Sequence, residues 1–393
     1  MSPAHARANG QGTIALGGAL AARPGIGGHT WVFLQYLLGF RRLGWNVLFL
    51  DWLDPDWCVD SAGNRVSLRE SVNADYTTSV MRDFELSESF AVLEKSTGNT
   101  LGLPRERVLA AVESSAAFIN FNGYVDDEEI LAAAPYRIYL DIDPGFPQMW
   151  RELGLHDAFA GYDGFVTVGE NVGTARSGVP TCGLAWTTTP QPVVLDLWPS
   201  RAGGERFTSI GMWRGSYQPV EFEGKTYGLR VHEFRKFASV PRGTDERFEL
   251  ALRIDEAETS DLRLLADGGW MIVDPRTAAG NPAAYRQYIQ GSKAEFMVAK
   301  NMYVETRSGW LSDRSICYLA SGKPVVAQDT GLSGLYPLGE GLVTFSTPEE
   351  AVSAVDEVAG NYDHHTRAAR ELALEYFDSD KVLPRLLDRL GIG

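Results

Sequence analysis

The sequence predicts an α/β protein built from two tandem doubly wound domains that face a cleft, and three observations carry that expectation. Short apolar runs of four or five residues recur along the chain, each followed by polar or Gly-rich residues, as buried parallel strands are. Segments with helical spacing alternate with several of these runs. The alternation breaks over residues 189–206, where prolines and glycines cluster, and then restarts. At roughly 150 residues per domain, a chain of 393 residues holds two or three domains.

Residues 13–16 read as the first strand, followed by a loop that holds Gly17, Gly18, Gly25, Gly27 and Gly28. Over 30–43, Trp31, Leu34, Leu38 and Phe40/Leu43 fall on one helical face, and Gly44 stands where a helix stops. The apolar run 46–50 ends at Asp51 and completes a strand–helix–strand unit. Runs 116–120, 137–141 and 164–168 continue the first sheet. In the second half, 207–211, 248–252, 270–273, 294–298 and 324–328 read as strands, and 228–238 as a helix. Helical stretches at 364–376 and 381–390 close the chain. The expected units are residues 1–199, 200–376 and a terminal helical segment, 377–393.

Composition narrows the function. Apolar residues make up 44% and charged residues 22%, the balance of a globular enzyme. With 36 basic and 51 acidic side chains the net charge is −15, a field that repels phosphate backbones and argues against nucleic acid as a partner. Cys58, Cys182 and Cys317 are isolated, which fits a reducing, cytoplasmic setting. No His/Cys spacing suggests a metal site, and no apolar run reaches the ~18 residues of a membrane span.

Open parallel sheets bind ligands beyond the C-terminal ends of their strands, so the loops there hold the candidate residues. In the run 308–324, Ser312 or Asp313 suits a helix N-cap, and Gly322 with Pro324 ends the helix. Amides at that helix start, with Ser308 and Gly309 permitting close approach and Arg314 adding charge, form a candidate diphosphate site. Trp310 either stacks on a base or belongs to the core, and Asp313 either caps the helix or accepts from a sugar hydroxyl. A second donor loop, 211–217, offers Gly211 and Arg214, with Lys225 and Arg230 downstream. The turn Asp329–Gly331 suits donor-sugar hydroxyls.

In the first half, the loop 25–30 is a partial dinucleotide fingerprint, with Thr30 in its third Gly/Ala position and Asp51 as its candidate ribose acid. Alternatively Gly27 and Gly28 admit an acceptor sugar and His29 serves the reaction. Asp141 and Asp143, at a strand end and pointing to one side, can bind acceptor hydroxyls or act as base.

The run from Gly309 to Gly331, with Tyr318-Leu-Ala-Ser-Gly-Lys-Pro-Val-Val-Ala-Gln-Asp-Thr-Gly331 at its end, resembles the nucleotide-sugar-binding half of GT-B glycosyltransferases, nearest a bacterial glycosyltransferase-like branch. Segments 339–343 and 347–351 resemble that family's late strand and helix, and Gly27-Gly28-His29 its acceptor-side loop. The resemblance implies two Rossmann-like domains, acceptor-binding then donor-binding, and a terminal helix that crosses back to the first. It departs at one place: the paired Glu residues of common retaining members fall here at Gly309 and Cys317, so a ribose carboxylate must come from elsewhere, such as Asp313 or Glu340.

The expected activity is metal-independent transfer of a sugar from a nucleoside diphosphate sugar, a co-substrate with no further cofactor, to a natural-product or glycan hydroxyl. Domain closure would exclude water, and a homodimer is allowed. The alternatives are a sugar-nucleotide epimerase, an NAD(P)-dependent oxidoreductase using 25–30 with Asp51, and a noncatalytic carbohydrate- or partner-binding relative.

Overall fold

The computed structural model describes residues 12–215 and 217–393; Ser216, in the candidate loop 211–217, lies outside the described residues. The first sheet contains β1 (Thr13–Gly18), β2 (Asn46–Leu53), β3 (Phe90–Glu94), β4 (Thr100–Gly102), β5 (Ala117–Phe121), β6 (Arg137–Asp141), β7 (Gly164–Thr167) and β8 (Trp186–Thr188). Their order is β4-β3-β2-β1-β5-β6-β7-β8, parallel except for the β3–β4 pair. The chain runs outward in one direction from β1 and in the other from β5, so the switch point lies between those two strands. Ligands collect beyond the strand ends at such points.

The second half adds β9 (Arg206–Met212), a hairpin of β10 (Val220–Phe222) and β11 (Lys225–Tyr227), then β12 (Arg247–Arg253), β13 (Trp270–Val273), β14 (Ala294–Met297), β15 (Val325–Gln328) and β16 (Leu342–Phe345). Apart from the hairpin these form one sheet, β13-β12-β9-β14-β15-β16, with every pair parallel. Its switch point is between β9 and β14. The architecture is the expected pair of doubly wound domains. Between β2 and β5, however, the structure inserts the helix Val72–Asp83, β3, β4 and the helix Arg105–Glu113, none of which the sequence reading placed. The expected helix over 228–238 is also shorter: α-helix runs Arg230–Phe234 and tightens to 3-10 geometry over Arg235–Phe237.

Burial follows from the runs that marked the strands. Ile14, Leu16, Ile119, Ile138 and Leu140 are fully buried under the first sheet. In the second, Phe207, Phe248, Trp270, Phe296 and Phe345 form a continuous aromatic layer, with Phe248–Trp270 and Phe296–Phe345 centroids 5.0 and 5.1 Å apart. Such pairs contribute about 0.5–1.5 kcal/mol each beyond their buried area.

Two seams join the domains. On one side the helix Gly27–Arg42 meets the helix Pro282–Gly291. There the indole N–H of Trp31 donates to the Pro282 carbonyl at 2.9 Å. A Cβ on Gly27 would lie 2.4 Å from the Asn281 carbonyl oxygen, and one on Gly28 would lie 2.7 Å from the Tyr285 ring. These glycines are therefore small because the second domain approaches them. That corrects the expectation of an acceptor-binding Gly27–Gly28 pair, although Gly28 also reaches the cleft wall. Gly27→Ala is expected to destabilise the fold by about 1–3 kcal/mol through overpacking, read as a lower urea midpoint.

On the other side, Asn171 Nδ2 donates to the carbonyls of Gly331 (2.8 Å) and Arg307 (3.0 Å). The Asn171 N–H reaches the Ser308 carbonyl at 3.0 Å, and the Gly178 N–H reaches that of Thr306 at 2.7 Å. Finally the helix Ser379–Arg389 lies on the first domain, where Arg42 bridges Asp196 and Asp380 and the Ser379 N–H bonds the Val193 carbonyl at 2.9 Å. These bonds tie the two halves together along both seams. Among the described residues, no helix is long and apolar enough to cross a membrane.

Candidate active site

The strand ends of both sheets open on one cleft of ≈ 920 Å³ between the domains, within the range of small-molecule sites. Its walls carry seven basic side chains, Arg23, Arg214, Arg230, Arg253, Arg276, Lys300 and Arg314. Four carboxylates oppose them: Asp143, Glu256, Asp274 and Asp313. The cleft is thus locally cationic in a chain of net charge −15.

Of the residues singled out in sequence, the structure brings Gly28, His29, Asp143, Gly211, Arg214, Ser312, Asp313 and Arg314 to this cleft. It does not bring Gly27, Asp141, Ser308, Gly309, Asp329 or Gly331 to its wall. Ser308 and Gly309 belong to the Asn171 seam: the Gly309 N–H donates to the Thr330 carbonyl at 2.8 Å, and a Cβ on Gly309 would meet Asn171. Asp329 spends its carboxylate on the amides of Gly331 (2.9 Å) and Leu332 (3.0 Å). That turn braces the seam, which corrects its assignment to donor-sugar hydroxyls.

Two guanidiniums converge at the end of β9. Arg314, just inside the helix Asp313–Ala320, is 8% exposed and ion-paired through Nε to the fully buried Glu295 at 2.5 Å. Its Nη1 donates to the Ile210 carbonyl at 2.7 Å, and its Nη2 has no partner. Arg230, from the short helix after the hairpin, reaches the same carbonyl through Nη1 at 3.4 Å. Among the described residues no carboxylate lies within ion-pair distance of Arg230. Burial and the neighbouring Arg314 charge lower its affinity for a proton, to a pKa of about 10. Two like charges held together with one carboxylate between them leave an unfilled demand for an anion.

Gly211 is what lets them meet. A Cβ there would stand 2.0 Å from Arg230 Nη1, the movable end of a long side chain. Gly211→Ala is therefore expected to displace the guanidinium and weaken nucleoside diphosphate binding about tenfold, with the chain still folded. Titration calorimetry beside a thermal melt checks both parts.

Arg214 plays a smaller part than its sequence position promised. It is half exposed, and Glu258 takes both its Nε and its Nη2. The helix start is also partly occupied: Ser312 caps it by accepting from the Arg314 N–H at 3.2 Å. Burial raises Asp313 to a pKa of about 6. Side-chain cations, more than main-chain amides, are the candidate anion donors here. Arg230, weighed in sequence only as an assistant, lies at the end of β9 with no carboxylate partner among the described residues.

The aromatic walls of the cleft, Tyr217, Tyr285, Tyr303 and Trp310, come from the second half, and the first half contributes His29. His29 donates its Nε2–H to the Ala19 carbonyl at 3.1 Å. Burial and the nearby Arg23 charge push its pKa down to about 3, so it stands neutral. Asp141 is fully buried, accepting from Gln148 (2.7 Å), Thr167 (2.9 Å) and the Asp143 amide (3.0 Å). It orders the loop after β6 and does not face the cleft, which corrects its candidacy as base. Burial alone would raise Asp143, but Lys300 and the Tyr303 hydroxyl outweigh it and hold the carboxyl below its usual range. Trp310 stacks on Tyr303, with centroids 4.3 Å apart, at the cleft wall.

Asp51 is also fully buried, accepting from the Ala21 amide at 2.6 Å and raised by burial to about 7. It braces the Gly-rich loop from beneath and is not placed to bind a ribose, which withdraws the acid a dinucleotide site needs. Cys317 is buried beside Gln35, whose Nε2 lies 3.8 Å from its sulfur. Glu340 is exposed and paired with His364 away from the cleft, so Asp313 is the remaining carboxylate of the two proposed for ribose. Among the described residues no three His, Cys, Asp or Glu side chains gather in metal-holding geometry.

Comparison with known proteins agrees with this fold. Residues 251–388 match the sequence profile of a family described as Glycosyl transferase-like. Among solved structures, an alpha-glucosyltransferase in complex with UDP and a 13-mer DNA superposes with a TM-score of 0.58 at 12% identity, over 96% of this chain and 99% of that one. Anabaena HepE in complex with UDP-glucose gives 0.58 at 12%, over 96% and 99%. Sucrose-phosphate synthase from Thermosynechococcus elongatus gives 0.55 at 12%, over 97% and 99%. No curated protein matches by sequence. The fold is that of these GT-B structures, and the segment 251–388 is glycosyl transferase-like in sequence. The matched segment runs from β12 to the terminal helix and so includes Glu295, Ser312 and Arg314.

Proposed function

We propose that the protein transfers a sugar from a nucleoside diphosphate sugar to a hydroxyl group, with the donor diphosphate held between Arg230 and Arg314. One observation carries this reading: the unpaired Arg230 guanidinium beside the unsatisfied Nη2 of Arg314, at the switch point of the second sheet. Negative charge grows on the diphosphate as the sugar leaves, and cations held in place around it stabilise it most at that moment. UDP and UDP-glucose in the structural neighbours support a uridine donor.

The acceptor enters from the first domain, past His29 and Asp143. Its oxygen bonds to the anomeric carbon, the bond from that carbon to the diphosphate oxygen breaks, and the electron pair leaves with the nucleoside diphosphate. The hydroxyl proton passes to a carboxylate, for which Asp143 is the first-domain candidate at the cleft. A natural product or glycan suits the aromatic walls, and the net charge of −15 favours these over a nucleic-acid acceptor.

Titration with UDP, GDP, dTDP and NADH tests the reading. Binding of at least one diphosphate, with none of NADH, is expected. Binding of NADH alone would restore the oxidoreductase alternative and end this one.

A further inference from the structure

Asp143 is an unusual choice for a proton acceptor because it is already engaged. Its Oδ1 is ion-paired with Lys300 Nζ and takes the Tyr303 hydroxyl, while the Tyr217 hydroxyl stands 3.4 Å from Oδ2. A carboxylate with three donors accepts a proton poorly. The pair also spans the domains. Asp143 follows β6, whereas Lys300 follows β14 and caps the helix Asn301–Thr306.

Lys300 stands next to the donor site. The side chain of Asn301 accepts from the Gly228 amide at 2.8 Å, which places Lys300 beside the segment that carries Arg230. Its ammonium also lies 5.1–5.4 Å from the ring centroids of Tyr217, Tyr303 and Phe146, contacts that attract a cation without fixing its direction. Lysine's flexible stem lets it change partner without moving its backbone.

We infer that Lys300 exchanges Asp143 for the donor diphosphate, so that donor binding unmasks the carboxylate that takes the acceptor proton. This rests on the donor reading above. It makes the order of events a property of one side chain: without donor the base is neutralised, and with donor the ammonium moves to the growing negative charge. The acceptor O–H proton then passes to Asp143 as the sugar–diphosphate bond breaks.

The test is a double-mutant cycle read by calorimetry with UDP, using wild type, Asp143→Asn, Lys300→Met and the double variant, each checked by thermal unfolding. Asp143→Asn is expected to tighten UDP binding about tenfold, Lys300→Met to weaken it about tenfold, and Asp143→Asn to have no effect in the Lys300→Met background. An unchanged or weaker affinity for Asp143→Asn would overturn the inference. So would equal tightening with and without Lys300, which is simple relief of charge repulsion. Should either variant fail to fold, Tyr303→Phe removes one donor from Asp143 and tightens its hold on Lys300. Weaker UDP binding is then expected, and unchanged binding contradicts the exchange. If wild type binds none of UDP, GDP, dTDP and inorganic pyrophosphate, the donor reading itself fails, and the exchange with it.

Discussion

Arg230→Ala is expected to raise the dissociation constant for a nucleoside diphosphate about 100-fold while the fold is retained. The charge-assisted contact of the side chain with a phosphate is worth about 1.5–3 kcal/mol, and about 2.7 kcal/mol corresponds to 100-fold. Its only bond among the described residues is a long one to the Ile210 carbonyl, so little native structure is lost with it. Arg230→Lys is expected to recover only part of the affinity, because an ammonium cannot reproduce the two-pronged geometry. A change below threefold for Arg230→Ala, measured by calorimetry, would place the diphosphate elsewhere.

Arg314 has a larger effect of another kind. Glu295 is fully buried, and Arg314 is its ion-pair partner. Arg314→Met leaves that carboxylate uncompensated, and the expected cost is about 3–5 kcal/mol of stability. Replacing both, as Arg314→Met with Glu295→Met, removes the charge and its counter-charge together, and stability is expected to return most of the way. Diphosphate binding is not expected to return, because the cation is still missing. Urea unfolding and calorimetry on the two variants separate the structural role of Arg314 from its role toward the donor. Recovery of binding in the double variant would show that Arg314 serves the fold alone.

The architecture was legible because buried parallel strands announce themselves as short apolar runs. Residues 46–50, 137–141 and 270–273 all lie inside observed strands. Phe90–Glu94 carries the same apolar signature and was there to be read. The hairpin of β10 and β11 was not, since its three-residue strands are too short to show a period.

The site was only half legible. The helix cap at Ser312 followed from residue type and position, and Arg314 from its place in the helix. Which cation is free, however, depends on where carboxylates fall in space. Glu258 claims Arg214 from forty-four positions away, and among the described residues none claims Arg230. In the same way Asp141 and Asp143, two residues apart, meet opposite fates because Gln148 and Thr167 close over the first while Lys300 crosses the cleft to the second. The seam glycines misled for a related reason. Their smallness registers close approach, but the approaching group is the second domain's own backbone.

A crystal structure of the protein soaked with UDP tests the central claim most directly. The account predicts both phosphorus atoms at the end of β9, with phosphate oxygens within hydrogen-bond distance of Arg230 and of Arg314 Nη2. A diphosphate seated on the Gly25–Thr30 loop of the first domain, or outside the cleft with both guanidiniums left as they are, would contradict it.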